Sequence, residues 1–107
     1  MNSVGPNEPL SPEDKALYLQ EYHHGADLFQ RALEGYATSG DSHQKEAFKN
    51  VMNQALHVMN QAAGQLGDKE MKSQTEQISQ DFAQYQDTGS QTAYQKLNRD
   101  LSDAIDT

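Results

Sequence analysis

Apolar side chains recur every three or four positions in four separate runs of this chain, and each of the first three runs ends at residues that stop a helix. That spacing puts one side chain per turn on the same face of an α-helix, so it constrains the fold before composition is consulted. Tyr18, Tyr22, Gly25, Phe29, Ala32, Leu33 and Tyr36 make the first run. Phe48, Val51, Met52, Ala55, Met59, Ala62 and Leu66 make the second. Met71, Thr75, Ile78, Phe82 and Tyr85 make a third, and Tyr94, Leu97, Leu101 and Ile105 a shorter fourth. No window alternates with period two and β-branched residues are scarce, which argues against strands.

The runs have marked ends. Ser11-Pro12-Glu13-Asp14 is a helix start: a serine that can accept a backbone N–H, a proline whose missing N–H costs nothing there, and two acids at the positive end of the dipole. The stretch 38–42 (Thr-Ser-Gly-Asp-Ser) ends the first helix and supplies the next cap, with Ser42 as the candidate. Gly67 closes the second helix, Asp68 caps the third, and the stretch 87–90 breaks it, with Ser90 capping the fourth. The expected helices therefore span about 12–38, 43–66, 69–87 and 91–105. Connections this short join antiparallel neighbours, so the sequence predicts an all-α, up-down antiparallel bundle of four helices. Residues 1–10, with two prolines and no periodicity, read as a flexible lead-in, and 11–107 as a single domain.

The four apolar arcs differ in width. At 100° per residue the first spreads over roughly 200° once Leu17, Leu19 and Leu28 are included, and the second over roughly 180° with Ala47, Leu56 and Val58. The third covers about 60° and the fourth about 120°. The first two helices are thus expected to form the central hairpin, with the others laid against it. Apolar residues that the thinner helices leave bare would be covered by a partner or a second copy. Leu17, Leu19, Leu28, Leu56 and Val58, toward the edges of the wide arcs, are the candidate interaction residues. Gly25 lies mid-helix on the apolar face, where glycine costs about 1 kcal/mol relative to alanine, so either a second helix approaches closely there, which is the favoured expectation, or the helix bends.

Charge narrows the partners. Sixteen Asp and Glu stand against eight Lys and Arg, a net charge of -8, and the few lysines are interleaved with acids. Nucleic acids and anionic membranes are bound through clustered cations, so neither is an expected partner. There is no cysteine, which removes disulfides, thiolate catalysis and thiolate-bound metals. The first residues carry neither a basic region nor an apolar run of the kind a cleaved signal peptide needs, and no stretch is long enough to span a membrane; the cytoplasm is the expected compartment. Thirteen glutamines, dense between Gln74 and Gln95, fall at helical spacing on polar faces and read as solvated helix surface.

No chemistry-bearing constellation emerges. Glu21 and His24 stand three apart, as carboxylate–imidazole pairs do in two-metal bundles, but the second pair such sites need is missing: Gln54 precedes His57 and Gly40 precedes His43 at that spacing. His23 and His57 are expected near the middle of polar faces, His23 within reach of Asp27, and Asp100 and Asp103 as solvated acids on the polar side of the last helix. Ser11, Ser42 and Ser90 are cap residues, and no serine lies on a strand-to-helix elbow. No catalytic residue, cofactor or metal is expected. Residues 26–63, with Ala26, Leu28, Phe29, Ala32, Leu33, Tyr36, Lys45, Ala47, Ala55 and Leu56, resemble the paired helices of trafficking-type and tetratricopeptide-type modules. That resemblance implies binding of peptides or helices in grooves between helices, although the small-residue positions of tetratricopeptides do not recur here at a fixed period. The sequence thus points to a non-enzymatic interaction module taking another helical protein or peptide, or itself, through its first two helices. The alternative is a metal-dependent bundle using Glu21 and His24.

Overall fold

A computed structural model describes residues 10–106 and contains four helices, α1 (Pro12–Thr38), α2 (Ser42–Leu66), α3 (Lys69–Thr88) and α4 (Gln91–Asp106). Apart from Leu10, the expected lead-in lies outside the described residues. Each helix starts where a side chain can take its orphan N–H groups. The Ser11 hydroxyl accepts from Asp14 N at 3.1 Å, Asp68 Oδ1 accepts from Glu70 N and Met71 N at 2.9 and 3.1 Å, and Ser90 Oγ accepts from Ala93 N at 3.1 Å. The cap of α2 is Asp41, whose Oδ1 accepts from His43 N at 3.0 Å, rather than the expected Ser42, which is the first helical residue. A carboxylate there meets both the free N–H and the helix dipole. Helices α2 and α3 end at Gly67 and Gly89, whose φ of 64° and 62° lie in the left-handed region that turns a chain sharply out of a helix.

The helices form an up-down ring in which α1 touches α2 and α4, and α3 touches α2 and α4. The α1–α2 interface is the most extensive and the α2–α3 interface the sparsest. Small residues allow the first: Gly25, Ala26, Ala55, Ala62 and Ala63 are all buried. A Cβ on Gly25 would lie 2.8 Å from Met59 Cγ and 3.1 Å from the Ala55 carbonyl oxygen, so the close approach expected at this glycine is present. Gly35 has a similar neighbour that the sequence did not announce, the Phe48 ring.

Tyr22, Phe29 and Leu33 of α1, Met52 and Met59 of α2, Ile78 of α3, and Leu97 and Leu101 of α4 are fully buried. Around them runs a chain of edge-to-face rings: Phe29 on Phe82, Phe82 on Tyr36, Tyr36 on Tyr85 and Tyr85 on Tyr94, with centroids 5.4 to 6.2 Å apart.

The helices are unequal, with 27 residues in α1 and 16 in α4. Gln30 Nε2 donates to Asn98 Oδ1 at 3.0 Å and to Ser102 Oγ at 3.1 Å, which fixes the antiparallel register of α4 against α1. In that register α4 stops level with about the middle of α1, and the first ten or so residues of α1, about 16 Å of helix, run on without it. The bundle is therefore 53 Å long, with all four helices at the end where α1 finishes and fewer where α1 begins.

Candidate functional site

Where α4 ends, an open groove of about 780 Å³ lies over the first half of α1. Leu17, Gln20, Glu21, His23, His24 and Asp27 of α1 line it, with Val58 and Gln61 of α2 and Ile105 from the last turn of α4. Leu17 is 52% exposed and is the one large apolar side chain among the described residues that is left open to solvent. Among the described residues no Lys or Arg lines the groove; Glu21 gives its rim negative charge, while Asp27 is ion-paired with Arg31 one turn on.

The five expected interaction residues do not form one surface. Leu17 and Val58 both line the groove, as does Ile105, which also packs partly against the core as its stripe predicts. Leu19 and Leu28 are half-buried and pack against the core. Leu56 does the same while lining a smaller, polar cleft of about 380 Å³ between α2 and α3, among Asn53, His57, Asn60, Thr75, Glu76 and Ser79. The wide arc of the first helix is thus mostly core, with only its edge left over.

Glu21 and His24 both reach the groove and are exposed. Among the described residues, no group of three or more His, Cys, Asp or Glu side chains could hold a metal ion. His23 departs from expectation: it is half-buried, its ring 6.4 Å from that of Tyr22, and its Nε2 is buried with no hydrogen-bond partner. The reason is α4. His23 and Gln30, seven residues apart, share a flank of α1 that looks polar in isolation, and Gln30 shows that this flank faces the fourth helix. Asp27 is paired not with His23 but with Arg31, whose Nε lies 3.1 Å away on an exposed turn, where such a pair adds little. Tyr22 is satisfied in the core: its hydroxyl donates to Gln74 Oε1 at 2.6 Å, and burial, the largest influence on it, raises its pKa.

The last helix holds a second departure. Asp100 is not a solvated acid; its Oδ2 is buried. It faces Asp81 of α3, a carboxylate only 2% exposed in the middle of the α3–α4 interface. Asp81 Oδ1 takes Lys96 Nζ at 2.6 Å and Gln77 Nε2 at 2.9 Å. A sequence signal existed, since Asp81 sits beside Phe82 and one turn after Ile78, at the edge of the third apolar run.

No protein-family model, curated protein or solved structure matches the chain. The resemblance of residues 26–63 to tetratricopeptide-type helices rests on those residues alone, and the four helices here close into a ring instead of stacking in successive pairs. No helix among the described residues is long and apolar enough to cross a membrane.

Proposed function

We propose that this bundle is a non-enzymatic interaction module whose groove over the first half of α1 receives an amphipathic helical segment with basic flanks. The observation that carries the reading is the exposed Leu17 in a groove also lined by Val58 and Ile105, with Glu21 on its rim and no lysine or arginine among the described lining residues. Apolar anchors spaced along one helix face fit an open groove of this kind, and lysines or arginines beside them would meet the acidic rim. The net charge of -8 acts in the same direction, drawing in a basic partner from a distance and opposing a second copy of this acidic chain.

A fluorescently labelled amphipathic peptide of leucine and lysine tests the reading. Anisotropy is expected to give a dissociation constant in the micromolar range, about -8 kcal/mol. The NMR shifts that move should belong to Leu17, Val58 and Ile105. Leu17→Asp should weaken binding by about tenfold or more, equivalent to about 1.4 kcal/mol, with the circular dichroism spectrum unchanged. Shifts confined to other faces, or equal binding by Leu17→Asp, would sink the idea.

A further inference from the structure

The Asp81–Asp100 pair has an unusual set of partners. Lys96 and Gln77 supply donors to one oxygen of Asp81. The second oxygen of Asp81 and the second oxygen of Asp100 are both buried, and neither receives a hydrogen bond from any N–H or hydroxyl among the described residues. The two carboxyls stand within hydrogen-bonding range of each other. A hydrogen bond between two carboxyls requires a proton on one of them, because two ionised groups are both acceptors.

The charges facing the pair are few. From α4 they are Lys96 and Asp103, and from α3 the uncharged Gln77 adds a hydrogen bond; no charged group of α1 or α2 among the described residues acts on it. The nearby tie between α1 and α4 is made by Gln30, Asn98 and Ser102, all uncharged. With one proton on the pair, its single negative charge is balanced by Lys96. When that proton leaves to solvent, a second negative charge remains in a half-buried site with one cation for two anions.

We propose that Asp81 and Asp100 share one proton, and that this proton is a clasp holding α4 against α3, which opens when the pair takes its second negative charge. The two environments assign the proton. Burial pushes the Asp81 carboxyl up, but the hydrogen bonds from Asp100, Lys96 and Gln77 and the charge of Lys96 outweigh it and hold it below the ordinary carboxylate range. Burial, the bond shared with Asp81 and the charges of Asp81 and Asp103 push Asp100 up to about 6, against the pull of Lys96. Asp81 is thus the acceptor and Asp100 the acid, the arrangement that two carboxyls in one site adopt when both cannot ionise.

The sign follows by linkage. A carboxyl whose pKa is raised on folding stabilises the fold at low pH, and that stability is lost as pH rises through the folded value, here about 6. Asp81, held low, acts oppositely, and its contribution is lost as pH falls through its depressed value. The clasp is therefore tightest in a mildly acidic window and loosens toward neutral pH.

The test is thermal unfolding of the full chain at pH 5 and pH 7.5, together with the 13Cγ titration of Asp100 in labelled protein. The midpoint is expected about 5–10 °C lower at pH 7.5 than at pH 5, and amide exchange in α4, corrected for intrinsic rates, should quicken over the same range. Imidazoles in general change charge here too, so the decisive readings are specific to the pair. Asp100→Asn keeps a donor toward Asp81 without a titrating proton; it should remove most of the pH dependence and melt higher than wild type at pH 7.5. If Asp100→Asn keeps the wild-type pH dependence, the proposal is overturned. Should that variant fail to fold, the wild-type titration decides: a midpoint of Asp100 near 6 supports the clasp, and one near 4 overturns it.

Discussion

The two ends of the bundle differ in how their apolar surface is covered. At the four-helix end, Phe29, Tyr36, Phe82, Tyr85 and Tyr94 interlock edge to face, and Leu33 and Leu97 are fully buried. At the end where α1 begins, α1 runs past the last turn of α4, Tyr18 and Leu19 are only half-buried, and Leu17 faces solvent. Both ends are built from the same amphipathic spacing in α1. What differs is the number of neighbours, so the same type of residue is core at one end and surface at the other. An apolar stripe therefore sets where a helix needs cover, while the length of its neighbours sets how much it gets.

Substitutions can break this comparison. The largest effect is expected from Phe29→Asp, which would bury an unpaired charge in the ring cluster; the variant should show no cooperative thermal transition by circular dichroism. Leu28→Asp, one position away on a half-buried edge, should stay folded at a lower midpoint. If both variants unfold, the contrast between core and edge along α1 fails. A smaller effect is expected at the seam both ends share. Gly25→Ala brings a Cβ against Met59 and the Ala55 carbonyl. The overpacking, about 1–3 kcal/mol, should exceed the gain of about 1 kcal/mol in helix propensity, leaving a fall of several degrees in the melting midpoint. The smallest effect belongs to the open end. Leu17→Asp should change unfolding free energy in urea by no more than about 0.5 kcal/mol, since the side chain already faces water; a large loss would mean that Leu17 is structural and that the groove is not free to receive a partner.

Much of the architecture was legible because caps and breakers are local. Ser11, Asp68, Ser90, Gly67 and Gly89 each act through atoms within four residues of themselves, and the helix ends fall within one residue of expectation. The one misplaced cap, Ser42 for Asp41, is a choice between two adjacent acceptors. The site was less legible because it depends on neighbours. His23 looked solvated on a wheel of α1 alone, and only the register of α4, set by Gln30 with Asn98 and Ser102, puts it beside another helix. Ile105 packs partly against the core as its stripe predicts, and its second role in lining the groove depends on where α1 and α2 lie beside it. The narrow arc assigned to the third helix omitted Asp81; counting it widens the buried face by about 40° at 100° per residue. A carboxylate within a buried stripe is a reason to look for a cation and a proton, and Lys96 and Asp100 stand four residues apart on the facing helix.

The position of the groove also gives the molecule a direction. The α1–α2 and α3–α4 connections both lie at the four-helix end, and Leu17 is 21 positions before Thr38, the last residue of α1, or about 30 Å along the helix. A partner seated in the groove would leave those two connections pointing away from it. Residues 39–41 and 89–90 are thus natural points for grafting a tag, a fluorophore or another domain, with the groove facing outward at the far end of a helical rod.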